Sequence, residues 1–253
     1  MESSARHRVE RAVADRRNEH RFFIGMAAAM TLVVLVGFGR SFFFAFLWRD
    51  HAPDASTEPV YYVHGTFAAI WMAFAVVQPV LIRSRRVRWH RLAGWIGVLM
   101  AAAVVLTGTF VAILSAARGS ASALPPTPLD FLGVIVSGIV IFGVFVGLAV
   151  ICRRNGPAHK RLMYLATINV LQAAVVRLPL SFLYSAGPWT TYLIAYAFVV
   201  PLVIYDFNVL RRAHPATLWG SLGILISLPV RLWLSKTATW LMVARSVVRL
   251  VGT

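Results

Sequence analysis

The sequence is short of charge, and shorter still of acid. Charged residues make up 13% of the 253, and only 9 are Asp or Glu, whereas a soluble domain carries about 25% charged residues. A single cysteine, Cys152, excludes an internal disulfide. With 17 Gly and 12 Pro, collagen-like and low-complexity chains are excluded as well. No G-x-x-x-x-G-K loop occurs, so nothing in these residues binds ATP in the manner of a driven pump. No Ser, Cys or Thr nucleophile with a base and an orienting group is recognisable. Lys236 lies at the end of an apolar run with no carboxylate at its depth, which argues against a retinal-type Schiff base.

What the chain has in excess is apolar side chain: 59% against about 45–50% in soluble domains. These residues are gathered into blocks of twenty or more, too long for the buried helices of a globular core. The pattern predicts an all-α, polytopic seven-transmembrane-helix bundle. Its spans lie near 22–48, 61–82, 92–116, 130–152, 161–185, 189–209 and 216–235. Each reaches across a hydrocarbon core of about 30 Å at ~1.5 Å per residue. A polar tail, 1–21, precedes them. Residues 236–253 follow, with Arg245 and Arg249 on one helical face, and read as an amphipathic interfacial helix or a short eighth span.

The net charge of +16 would point to nucleic acid in a soluble protein. Placement decides otherwise here. Seventeen basic residues fall in 1–21, 83–91, 153–161 and 210–215, whereas the connections 49–60 and 117–129 hold one each (Arg49 and Arg118). Positive charge collects on the cytoplasmic side of a membrane protein, beside anionic lipid. The N-terminus is therefore expected in the cytoplasm, with membrane lipids as partners and no nucleic acid.

Ionisable groups at membrane depth mark functional sites by default. Counting along the spans places Arg40, Arg177 and Arg231 in the outer half, ~22–27 Å into outward-running helices. His64 joins them at the start of the inward-running second span. No Asp or Glu shares that depth, so the cations favour a bound anion, backbone carbonyls or snorkelling to the interface. His64, Trp71 and Gln78 are spaced by seven and share one face. On the fifth span Asn169 and Arg177 lie about 80° apart and Gln172 further round; Gln78, Asn169 and Gln172 also suit interhelical hydrogen bonding. A second constellation, His90, His159, Asp206 and His214, gathers at the cytoplasmic ends, where three imidazoles and a carboxylate suit a transition metal, lipid headgroups or a proton relay. Asp206 also has Arg211 and Arg212 within reach along the chain. Small residues form stripes that let helices approach closely: Gly94, Gly97, Ala101 and Gly108 on the third span, and Gly220, Gly223 and Ser227 on the seventh.

Through HGTFAAIWMAFAVVQPVLI, WHRLAGW, HKRLMYLAT and YDFNVLRRAHPATLWG, the chain resembles a family of uncharacterised bacterial seven-span integral membrane proteins over roughly residues 50–245. That resemblance implies the seven-helix fold and a bacterial inner membrane, and implies no mechanism. A looser likeness to small b-type cytochromes implies haem b, with His64 as axial ligand and the arginines facing propionates. Those cytochromes pair two histidines at one depth, and His64 has no second intramembrane histidine at its level. Three functions are thus open. The first is binding or transport of an anionic amphiphile such as a lipid phosphate or fatty acid through Arg40, His64, Trp71, Gln78, Asn169, Gln172, Arg177 and Arg231. The second is haem-based electron transfer, and the third a membrane metalloenzyme built on His90, His159, Asp206 and His214.

Overall fold

The structure, a computed structural model, describes residues 2–47, 59–119, 127–185 and 188–251. The acidic connection with Asp50, Asp54 and Glu58, and most of the Pro-rich connection before Thr127, lie outside the described residues. Among those described, every regular element is helical. In chain order they are α1 (Glu2–Gly37), α2 (Pro59–Arg83), α3 (Val87–Ala117), α4 (Pro128–Ile151), α5 (Gly156–Val170), α6 (Gln172–Val175), α7 (Phe182–Ser185), α8 (Pro188–Tyr196), α9 (Val199–Leu210), α10 (Pro215–Leu234) and α11 (Ala238–Val251). Six helical stretches are long and apolar enough to cross a membrane: Arg17–Gly37, Pro59–Arg83, Val87–Ala117, Pro128–Arg154, Thr190–Leu210 and Pro215–Leu234. Large apolar side chains cover the outside, among them Leu99, Leu106, Ile151, Trp219 and Trp233. A water-soluble monomer rarely exposes so much apolar surface. This is the build of a multi-pass membrane protein.

Local chemistry sets the boundaries. Three helices open with a capping side chain and a proline close behind it, the pattern that satisfies early N–H groups and tolerates a missing one. Thr127 Oγ1 accepts from Asp130 N ahead of α4, Asn155 Oδ1 from Ala158 N ahead of α5, and His214 Nδ1 from Ala216 N ahead of α10. The polar segment expected over 1–21 is helical from Glu2 on, and its backbone runs unbroken into the first span as α1. That span stops at Gly37 instead of running to 48. A Cβ on Gly37 would strike the Ala174 carbonyl, so α1 ends where it touches α6. Beyond it the chain widens into a π-helical turn, with Phe43 N–H bonding Phe38 O at 3.2 Å and Phe44 N–H bonding Gly39 O at 2.8 Å.

The fifth expected span, 161–185, is not a continuous helix. After Val170 the backbone tightens, Leu171 bonding Ile168 O and Arg177 bonding Ala174 O, each three residues back. Pro179 disfavours helical geometry at Leu178 and has no N–H of its own. The sixth span is kinked between α8 and α9. Pro201 cannot donate to Ala197 O, which takes the Val200 N–H at 3.0 Å instead, a proline kink of known cause.

Contacts at two levels order the bundle. At one end Lys160 pairs with Glu19, Gln78 lies beside His90, His159 bonds Ala149 O, and Arg161 bonds Asp206. This basic end thus collects the starts of α3, α5 and α10, the N-terminal end of the first span, and the ends of α2, α4 and α9. At the far end His64 meets Thr107, Tyr61 meets Ser115, and Trp240 Nε1 bonds Leu129 O. The core lies between, around Met30, Phe142, Leu165, Ile168, Leu202 and Ile224. α5 is the most enclosed helix, burying Arg161, Leu162 and Tyr164 through Asn169.

The third-span stripe is a packing face: Gly97, Ala101 and Gly108 are buried, and Gly97 faces Phe74 while Gly108 faces His64. The seventh-span stripe needs correction. Gly220 packs against Leu165, but Gly223 meets nothing and is exposed. The buried face of α10 runs instead through Thr217, Gly220, Ser221, Ile224, Leu228 and Arg231. α11 is 14 residues long, about 21 Å at ~1.5 Å per residue, too short for a further span. It lies on the far ends of α3 and α4, with Ala244 buried among Ala112, Ala116 and Leu132, and Arg245 and Arg249 are exposed.

Candidate functional site

The buried polar groups form two layers. At the basic end, Asp206 is a structural hub. Arg161 Nε donates to its Oδ1 at 2.9 Å and Oδ2 at 3.3 Å, and Nη2 also donates to Oδ1. Oδ2 further accepts from His214 N at 3.0 Å and Thr217 Oγ1 at 2.5 Å. Arg161 and Asp206 are only 2% and 0% exposed, and the pair ties α5, α9 and α10 together. Sequence separation hid this pairing: the expected partners Arg211 and Arg212 are both exposed.

The residues proposed as metal ligands do not assemble as one. Among the described residues no group of three or more His, Cys, Asp or Glu is placed to hold a metal ion. Asp206 spends both oxygens on the hub. His214 Nδ1 caps α10 by accepting from Ala216 N at 3.1 Å. Burial pushes this imidazole below its ordinary value, Arg161's charge adds to the shift, and Asp206 opposes it. His90 and His159 do come together, ring centroids 6.4 Å apart and edge to face, but each is anchored elsewhere. Gln78, oriented with its amide nitrogen towards His90, donates to His90 Nδ1 at 2.5 Å and accepts from Gly94 N at 3.0 Å. His159 Nδ1 lies 2.8 Å from Ala149 O and must donate to it.

Of the polar face on α2, all three members turn into the bundle. His64 Nδ1 lies 3.0 Å from Thr107 Oγ1, whose own proton goes to Ala103 O. The Thr107 oxygen therefore accepts from Nδ1–H, leaving Nε2 as the imidazole lone pair. Trp71 Nε1 donates to Thr167 Oγ1 at 3.3 Å and packs edge-on against Phe142. Among the described residues no second histidine stands beside His64 for a bis-imidazole haem, since His90 and His159 contact each other at the opposite end, and the ring itself rests on Gly108; His51 lies outside the described residues.

The three arginines expected at membrane depth divide. Arg40 stands exposed on the π-helical turn. Arg177 is exposed too, folded back to donate to Ala173 O at 2.6 Å with its guanidinium 4.6 Å from the centre of the Phe38 ring. Both belong to the end of α1 and the irregular chain after α6. Gln172 opens α6, half-buried. Because the helix is broken, the angles expected along a continuous fifth span do not apply.

Arg231 alone is buried, 4% exposed. It lies on α10 two residues after Pro229. Helical side chains lean towards the N-terminus of their helix, so its guanidinium turns into the bundle, away from the far interface. Nη2 donates to Tyr196 Oη at 2.6 Å, and Tyr192 lies beside it, 5.6 Å from Cζ to ring centre. Nη1 occupies the space a side chain at Gly138 would need, within 2.8 Å of an ideal Cβ. Asn169, 2% exposed, reaches the same glycine from α5, its Nδ2 donating to Gly138 O at 2.8 Å. Among the described residues no carboxylate pairs with Arg231; Glu19 is taken by Lys160 and Asp206 by Arg161. Tyr192, Tyr196 and Gly138 gave no signal in the sequence, since two tyrosines and a glycine in apolar spans match the ordinary composition of membrane helices.

Comparison with protein-family models, with curated proteins and with solved structures returns no match.

Proposed function

We propose that this is a seven-crossing protein of the bacterial inner membrane, N-terminus cytoplasmic, that binds or transports an anionic amphiphile through the buried Arg231 site. The seventh crossing is the interrupted segment α5–α6. It starts beside Glu19 and Asp206 at the basic end and reaches Gly37 at Ala174. From Glu19 to Gly37, α1 rises about 27 Å at ~1.5 Å per residue, close to a hydrocarbon thickness. The basic connections then share one side, which the positive-inside rule makes cytoplasmic.

The observation that carries the binding function is the unpaired buried guanidinium. A cation removed from water without a counter-charge is strongly unfavourable. Tyr196 and the Tyr192 face offset part of that, and a bound anion would offset the rest. His64, Trp71, Gln78 and Gln172 act in this reading as helix-joining groups, while Arg40 and Arg177 lie at the far rim, where they would meet an anion first.

Mass spectrometry of the detergent-purified chain tests the site. Wild-type protein should carry an anionic lipid or acid that Arg231→Leu loses while Arg231→Lys keeps part of it. Equal retention by wild type and Arg231→Leu refutes the site. Reporter fusions at residue 1 and after residue 253 test the topology, which requires opposite sides of the membrane.

A further inference from the structure

Four buried side-chain atoms have no hydrogen-bond partner among the described residues: Thr31 Oγ1, Asn169 Oδ1, Ser221 Oγ and Arg231 Nε. Two of them, on different helices, belong to side chains that both touch Gly138, Arg231 through Nη1 beside its Cα and Asn169 through Nδ2 at its carbonyl. A buried polar group left unpaired costs about 1–3 kcal/mol, so these two atoms state what a ligand entering beside Gly138 would have to satisfy. The two atoms differ in kind. Arg231 Nε is an N–H that can only donate. Asn169 Oδ1 can only accept, and its identity is fixed because the other end of the amide must be the N–H₂ that donates to Gly138 O. Tyr196, having accepted from Arg231 Nη2, keeps its own O–H to donate.

The complementary ligand therefore accepts at least two hydrogen bonds and donates one. A carboxylate or a sulfate ester carries no proton near neutral pH and would set its lone pairs against Asn169 Oδ1. A phosphate monoester, with a second pKa near 6, can retain one proton. It accepts on its ionised oxygens and donates through the remaining P–O–H. We propose that the Arg231–Tyr196–Asn169 site selects the monoprotonated phosphate monoester headgroup of an amphiphile, the phosphate hydroxyl donating to Asn169 Oδ1. This rests on the anion-binding function above and narrows it.

The test compares decyl phosphate with decyl sulfate, equal in chain length, on the full chain in non-ionic detergent at micromolar probe concentrations. Wild type should bind the phosphate at least about tenfold more tightly, because a site built to accept a hydrogen bond rejects an analogue that cannot donate one. Raising the pH from 6 to 9 should weaken phosphate binding and leave sulfate unchanged. Asn169→Ala should bring the two probes to similar affinity, and Arg231→Leu should abolish both. Equal binding of the two probes by wild type, with both lost in Arg231→Leu, would overturn the phosphate selectivity and leave the anion site standing. Binding of neither probe, or of both undiminished in Arg231→Leu, would overturn the site itself. If Asn169→Ala does not fold, the probe comparison and pH series on wild type still decide.

Discussion

Removing the carboxylate of Asp206 is the sharpest perturbation of the fold itself. Its two oxygens take every hydrogen bond that ties α9 to Arg161, to the backbone of His214 and to the Thr217 hydroxyl. In Asp206→Ala the Arg161 guanidinium stays almost fully buried, with Pro157 O at 2.9 Å from Nη1 as its remaining partner. Breaking one side of a buried ion pair is destabilising by about 3–5 kcal/mol, a large share of the roughly 5–15 kcal/mol that holds a typical domain folded. The double variant Arg161→Met/Asp206→Leu leaves no charge behind. Replacing a buried pair with apolar groups of similar volume is often near neutral, so this variant should recover much of the loss. The readout is equilibrium unfolding of purified protein in mixed micelles, followed by the fluorescence of its 8 tryptophans. A double-mutant cycle should give a coupling energy of about 2–3 kcal/mol, the upper part of the range for contacting residues. If Asp206→Ala lies within about 1 kcal/mol of wild type, the hub is not what joins these helices, and the reasoning from burial is refuted.

Three further outcomes follow from single contacts. Gly37→Val would drive a side chain into the Ala174 carbonyl and should destabilise by about 1–3 kcal/mol or more; a wild-type unfolding curve would show that α1 and α6 do not meet. His214 sits below its ordinary pKa of 6.5 in the folded chain, so below pH 6.5 the unfolded chain binds more protons and stability falls with pH. His214→Asn keeps a capping group and should flatten that slope between pH 6.5 and 5 while matching wild type at pH 8. Trp240→Ala removes the bond to Leu129 O and the packing on Gly133. It should release α11 to proteolysis and leave unfolding of the bundle nearly unchanged; equal protease resistance would mean that Ala244 and its neighbours suffice to hold α11.

Elements whose signal is local were legible in the sequence. The apolar blocks of α2, α3, α4 and α10 coincide with helices of the expected extent to within a few residues, and the His64–Trp71–Gln78 face turns inward because a seven-residue spacing leaves little freedom. The interruption after Val170 escaped a count of apolar residues. Leu171 to Val176 is apolar apart from Gln172, and only the backbone bonds and Pro179 reveal where the helix fails. The metal constellation failed for a different reason. Chain ends at one membrane face always look close in sequence terms, yet Asp206 was already committed to Arg161, 45 residues away.

Composition and block length by themselves determined that this chain is helical and built for lipid, since a backbone in hydrocarbon must satisfy its own hydrogen bonds and long apolar runs leave few other solutions. Counting along the same blocks led to the expectation of three arginines and a histidine at a shared depth. Depth is one coordinate along a helix axis. Which cation is enclosed depends on rotation, kinks and neighbours, and these arise only when the helices pack. The tertiary structure therefore turned Arg40 and Arg177 outward at the end of α1. It enclosed Arg231 beside Tyr196 and Asn169, where the missing side chain of Gly138 leaves room for a guanidinium.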